Sequence, residues 1–199
     1  MADLRLHRAA IDGDLAAVGD LLAEGLPIDA RDSDGRTPVM AATAARQTAA
    51  VRALLGAGAD VDIRGNDLAN PFLYAGAEGL LDILRLANEA GADPALTNRY
   101  GGIALIPACE RGHVEVVRYL LAESDVDVDH VNNLGWTALL EAIILADGDP
   151  AHQEIVRLLL HAGADPELAD RDGVTPLAHA RANGQVEIAA LLVAGGATR

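Results

Sequence analysis

The chain reads Thr37-Pro38-Val39-Met40-Ala41-Ala42 near its start, and variants of this phrase return at a nearly constant interval. The copies open at positions 4, 37, 70, 103, 137 and 175, so the successive steps are 33, 33, 33, 34 and 38 residues. A second phrase keeps the same register, since a Gly or Ser follows each opening by 21 residues, or by 26 in the fifth copy: Gly25, Gly58, Gly91, Ser124, Gly163 and Gly196. Two phrases in register through six copies indicate a repeat architecture.

Each copy predicts a pair of short helices. Thr or Asn at the opening can cap a helix N-terminus, and Pro in the next position suits the first helical turn. The second helix has apolar residues at helical spacing and needs a left-handed Gly after its end. One such unit cannot bury its own apolar face, so neighbouring copies must stack. Three departures stand out: Ile103 cannot cap a helix, Ser124 replaces the usual Gly, and five extra residues around 147–150 predict a local loop in copy five.

The chain resembles the ankyrin-repeat family along essentially its whole length. The 33-residue period, Asp34-Gly35-Arg36-Thr37-Pro38 and Ala162-Gly163-Ala164-Asp165 carry the resemblance. It implies an all-α fold, a solenoid of stacked helix–turn–helix units with short β-hairpin-like turns. We expect a single ankyrin-repeat domain over residues 1–199, with repeats at about 1–32, 33–65, 66–98, 99–132, 133–170 and 171–199. The family's His, three residues after Thr, is absent, so the sequence does not predict the bonds that this His usually makes between turns.

Composition and charge exclude several classes of partner and site. The 199 residues include 30 Asp and Glu against 15 basic residues, for a formal net charge of −15. A surface this acidic repels phosphate backbones and anionic lipid, so we expect neither nucleic acid nor a membrane as partner. The lone Cys109 excludes an internal disulfide and a thiolate zinc site, and we expect no cofactor or metal. No apolar run approaches the roughly 20 residues of a membrane helix. We predict a cytoplasmic monomer, and the Ala, Gly and Arg enrichment suggests a bacterial source.

Few residues support catalysis. Cys109 and His113 are four residues apart, as a nucleophile and its base could be, but an isolated Cys is usually buried. His113 also matches a structural Gly-His of the family. We therefore predict a non-enzymatic protein. Three alternatives stay open. The first is a dedicated inhibitor or immunity-type partner of one enzyme, and the second is an enzyme with a site near the copy-five insertion that uses Cys109, His152 or Asp149. The third is a structural scaffold that binds several partners weakly and tolerates the loss of Trp136.

The resemblance implies that the chain binds another protein on a concave face, formed by the turn tips and the first helices. Trp, Tyr and Arg are enriched at binding hot spots, and the single Trp and one Tyr fall at adjacent tips. The candidate contact residues are Arg36, Arg99, Tyr100, Glu110, Arg111, Leu134, Trp136, Ile144, Leu145 and Arg171.

Within this set, a stripe of anchors across copies four to six would consist of Arg99, Tyr100, Leu134, Trp136 and Arg171. An equally open alternative is that Trp136 packs over the neighbouring turn, with Arg99 as a cation–π partner. For the loop at 147–150 we favour a plain surface insertion, because lengthening a surface loop costs little.

Overall fold

A computed structural model describes residues 3–198, which form twelve α-helices in six pairs and contain no β-strand. The helices are α1 (Arg5–Asp12), α2 (Leu15–Ala23), α3 (Pro38–Ala44), α4 (Thr48–Gly56), α5 (Pro71–Ala77), α6 (Leu81–Glu89), α7 (Leu105–Glu110), α8 (Val114–Glu123), α9 (Ala138–Ile144), α10 (Pro150–His161), α11 (Pro176–Ala182) and α12 (Val186–Ala194). The chain divides into two compact units at the Arg99–Tyr100 boundary, and each unit holds three helix pairs. The single domain over residues 1–199 stays a prediction.

The two units are built in the same way. In residues 3–99, α1, α3 and α5 stack in one row, and α2, α4 and α6 stack in another. In residues 100–198, the rows are α7, α9 and α11, and α8, α10 and α12. Each row buries one apolar stripe per helix, and the small Ala side chains let the helices approach closely. The largest buried side chains include Leu6, Met40, Leu54, Phe72 and Leu84 in the first unit, and Leu105, Leu120, Leu139, Leu140 and Ile143 in the second.

The helix ends follow the local chemistry of the sequence. Four openings cap their helix as predicted, because the side-chain oxygen accepts the backbone N–H three residues on, at 2.8–3.4 Å: Thr37, Asn70, Thr137 and Thr175. Helix α7 has no side-chain cap, as Ile103 predicts. The Gly after each second helix has a positive φ, whereas Ser124 is extended at φ −136° and its hydroxyl donates to the Leu120 carbonyl. Copy four therefore ends its second helix without a left-handed residue.

One side chain at the base holds each of three hairpin-like turns. Asp32 Oδ1 accepts the N–H groups of Asp34 and Arg36 at 2.9 and 2.8 Å. Asn132 and Asp170 do the same for the residues two and four positions further on. The backbone N–H of Asp32 also donates to the Arg36 carbonyl, which closes the turn without forming a strand.

Leu68 adopts a strained backbone conformation in the third copy. Its φ is 62°, at the position that Gly35 and Gly101 occupy in other turns. The left-handed region costs a residue with a Cβ roughly 1–2 kcal/mol. We expect Leu68→Gly to raise the free energy of unfolding by about 1 kcal/mol, measured by urea denaturation. Leu68→Ala is the control and should bring no such gain, because it keeps the Cβ. A Gly variant less stable than the wild type would contradict this account.

Candidate functional site

The turn tips of copies four, five and six contact one another in residues 100–198. The backbone N–H of Asn133 donates to the Tyr100 carbonyl at 2.9 Å. A Cβ at Gly101 would lie 2.5 Å from Asn133 Oδ1, and a Cβ at Gly135 would collide with Arg171 Cγ. Each glycine therefore leaves room for a side chain of the next turn. We call Tyr100, Leu134, Trp136 and Arg171 the tip surface.

The tip surface presents apolar area to solvent beside a cation. Tyr100 is 54% exposed and Leu134 is 51% exposed. Trp136 is half-buried, and Arg171 is exposed. The half-burial of Trp136 is compatible with packing on a turn and with partial presentation to a ligand. Val131, 51% exposed in the same copy, is an apolar residue that the sequence analysis did not include.

The remaining candidate residues lie at several places. Arg36 and Arg99 belong to the first unit, where the Arg36 guanidinium is 3.7 Å from Asp67 and 4.0 Å from Asp34. That Arg99 forms a stripe of anchor residues together with the tip surface stays a prediction. Glu110 and Arg111 lie at the end of α7.

Ile144 and Leu145 lie at the end of α9, and only Leu145 is exposed, at 51%. The roles of Arg36, Glu110, Arg111, Ile144 and Leu145 in binding also stay predictions.

The copy-five insertion forms a local loop, as predicted. Asp149 caps α10, because its Oδ1 accepts the His152 N–H at 2.9 Å and lies 3.0 Å from Nδ1 of the same ring. Gln153 Nε2 donates to the Gly148 carbonyl, and Gln185 Nε2 donates to the carbonyls of Ile143 and Ala146. The loop is thus tied to α10 and to copy six.

The residues named for a catalytic alternative are in structural positions. Hydrogen bonds from the backbone N–H and the ring of His152 lower the pKa of Asp149. The other ring nitrogen of His152 lies 3.1 Å from the Glu110 carbonyl oxygen. Cys109 is fully buried, and burial raises the pKa of its thiol, whereas a nucleophilic cysteine needs an accessible thiolate. This arrangement suits packing and capping better than catalysis.

Glu141 is a buried carboxyl that the sequence analysis did not include. It is 5% exposed, and its Oε1 accepts a hydrogen bond from Asn132 Nδ2 at 2.7 Å. Burial, and then the charge of Glu110, raise the pKa of Glu141 to about 7, although the Asn132 bond acts in the opposite direction. In copy six the equivalent pair is His179 and Asp170, whose Nε2 and Oδ2 are 2.7 Å apart.

Each of these two pairs joins the first helix of a copy to the turn of the same copy. Glu141 and His179 both lie four residues after the capping Thr, one position beyond the slot that the sequence analysis considered. Side-chain bonds between helix and turn therefore do form in copies five and six. A comparison of the fourth position across copies could have found them.

The stacked helix pairs and their turns define the class of protein. A family model described as ankyrin repeats (3 copies) matches residues 6–98 and 72–170, and the chain belongs to the ankyrin-repeat family. Ankyrin repeats are protein–protein interaction modules, and the fold is typically a non-enzymatic scaffold.

The similarity to individual relatives covers nearly the whole chain. It is 44% identical over 189 residues to the putative ankyrin repeat protein YahD of Escherichia coli K12, across 95% of this chain and 94% of that protein. A solved ankyrin repeat domain from Acinetobacter baumannii AYE is 55% identical, with a TM-score of 0.95 and coverage of 98% and 99%. The ankyrin repeat domain of Bcl-3, a member of the IkappaB family, is 26% identical with a TM-score of 0.88, across 98% of this chain and 87% of that one. These likenesses confirm the predicted fold class.

Residues 3–198 contain neither a membrane-spanning helix nor a cluster of metal-binding side chains. No helix in this range is long and apolar enough to cross a membrane. The same residues hold no group of three or more His, Cys, Asp or Glu side chains placed to bind a metal ion.

Proposed function

We propose that the chain is a non-enzymatic module that binds a protein partner on the concave face of its ankyrin repeats, with the tip surface as the main anchor. The observation that carries this proposal is the direct contact between successive tips, from Tyr100 to Asn133 and from Gly135 to Arg171. A surface already held in place loses little conformational entropy when a partner docks, so a few anchors suffice. Glu110, Arg111, Ile144 and Leu145 of the same unit would contribute further contacts. Arg36 and Arg99 of the first unit stay separate candidate contact residues.

The tip surface favours a partner with mixed chemistry. An apolar side chain of the partner would pack on Tyr100, Leu134 and Trp136, and a carboxylate would pair with Arg171. The net charge of −15 speeds encounter with a protein of net positive charge. A partner of this kind is basic overall and carries an acidic residue beside an apolar one. A stable contact would bury on the order of 1,200–2,000 Å² in total.

Affinity capture from a cell lysate, read by mass spectrometry, tests the proposal. The baits are the wild type, the tip variant Tyr100→Ala/Leu134→Ala and the control variant Val186→Ala/Val193→Ala. The control removes two apolar residues of α12 that are 70% and 52% exposed. All four side chains are at least half exposed, so circular dichroism should show three folded proteins.

We expect a partner that the wild type and the control retain equally and that the tip variant retains at least tenfold less, since a buried tyrosine anchor can carry about 2 kcal/mol of binding free energy. Equal capture by all three baits would exclude the tip surface as the binding surface.

A further inference from the structure

We propose that Glu141 is a positioning residue for the tip surface and that its ionisation alters the setting of Leu134 and Trp136, so that binding depends on pH. The effect on binding rests on the proposed function. The effect on the turn itself does not, and it can be measured without any partner.

The connection from Glu141 to the tip runs through one amide group. Asn132 Nδ2 donates to Glu141 Oε1 at 2.7 Å, while Asn132 Oδ1 accepts the N–H groups of Leu134 and Trp136 at 2.9 and 3.1 Å. The amide is planar, so a rotation that breaks its hydrogen bond to Glu141 also displaces the oxygen that accepts the two backbone N–H groups. Asn132 and Glu141 are each 5% exposed, and water does not readily replace their bond. Glu141 therefore sets the orientation of the group that holds the tip.

The surroundings of Glu141 disfavour its charge. Helix α7 supplies Glu110, which repels a second carboxylate, and Cys109, a neutral thiol whose pKa is raised by burial and by Glu141. The turn supplies Asn132, which is neutral.

Helices α10 and α11 also pack against α9 and carry the titratable side chains His152 and His179. The His152 ring lies at hydrogen-bonding distance from Asp149 and from the Glu110 carbonyl. The His179 ring lies at hydrogen-bonding distance from Asp170.

One hydrogen bond, from Asn132, thus stabilises the ionised form of Glu141, whereas burial and repulsion by Glu110 destabilise it. A buried charge lowers its cost when the surrounding structure relaxes and admits water, so the carboxylate would move away from Glu110. That movement would release Asn132, and the tip would loosen as the pH rises through about 7.

Copy two contains an equivalent turn that lacks a carboxyl at the position of Glu141. Its equivalent of Glu141 is Ala41, which has no polar side chain. Asp32 still holds Asp34 and Arg36, with no side-chain partner from α3 among the described residues. The turn can therefore form without the bond to the helix. Ionisation of Glu141 should shift the copy-five turn rather than unfold it.

Trp136 is the single tryptophan and reports directly on this turn. We expect its fluorescence emission to change between pH 5.5 and 8.5 with a midpoint near 7 in the wild type. Glu141→Gln should remove the transition, because the amide keeps the Oε1 acceptor and does not ionise. His130 provides a control, because its Nε2 lies 2.7 Å from the Gly101 carbonyl oxygen at the neighbouring tip. His130→Asn should keep the transition.

Three fluorescence results would overturn the proposal: emission that is constant with pH in the wild type, a transition that persists in Glu141→Gln, or one that is lost in His130→Asn. For a captured partner, we expect the affinity of the wild type to fall at least threefold from pH 6 to pH 8, and that of Glu141→Gln to stay constant. A fluorescence transition without this change in affinity would overturn the link to binding. Failure of the tip surface itself would appear separately, in the alanine variants at a single pH.

Discussion

Replacing Asn132 by alanine is expected to lower the free energy of unfolding by about 3 kcal/mol. The change removes three hydrogen bonds at once, to Glu141 and to the N–H groups of Leu134 and Trp136. It also leaves the buried Glu141 carboxyl without its partner, and an unsatisfied buried polar group costs more than the net value of the bond. Urea denaturation at pH 6 measures the effect as a lower midpoint with an unchanged slope.

The adjacent residue provides a matched control. Asn133 lies in the same turn but is exposed, and we expect Asn133→Ala to change stability by less than about 0.5 kcal/mol. A second variant, Asn132→Asp, keeps the acceptor that Asp32 and Asp170 provide in other copies. It places a carboxylate against Glu141, so its cost should be small at pH 5 and larger at pH 8. If Asn132→Ala costs no more than Asn133→Ala, the side chain does not hold the turn.

The fold could be predicted because its determinants are local and repeat. Thr37, Thr137 and Thr175 each cap a helix through a bond to a residue three positions away, and the sequence shows both ends of that bond. The interval between copies then specifies which helices stack. Even the exception at Ile103 is local, and α7 indeed starts without a side-chain cap.

Other features depend on tertiary contacts that no single copy displays. Glu141 lies in helix α9, and α7, α10 and α11 all pack against that helix, so its burial depends on contacts from several elements. The choice of tip residues was similarly limited: the sequence places Tyr100 and Leu134 at tips, but it does not show the backbone hydrogen bond from Asn133 to Tyr100 that joins those tips. Leu68 is different, because alignment of the copies puts it where glycine is otherwise found. Its strain could have been predicted from the sequence.

Glu141→Gln is expected to stabilise the protein at high pH and to have little effect at low pH. In the folded protein the pKa of Glu141 is about 7, against an ordinary value of 4.5. Between these values the folded state binds more protons than the unfolded state, so the free energy of unfolding falls as the pH rises through this window. Above about pH 7 the loss is complete. A glutamine at this position cannot ionise, so the variant does not lose this stability.

We expect Glu141→Gln to be more stable than the wild type by about 2 kcal/mol at pH 8. This is less than the full pKa difference implies, because the new amide N–H groups also need partners in a buried place. At pH 5 the two proteins should differ by less than about 0.5 kcal/mol. Urea denaturation at both pH values measures this, with Glu187→Gln on the exposed side of α12 as a control that should show no such dependence. A Gln variant that is less stable than the wild type at pH 8 would mean that the folded protein accommodates ionised Glu141 well. The conformation of the copy-five turn would then not depend on the protonation of Glu141.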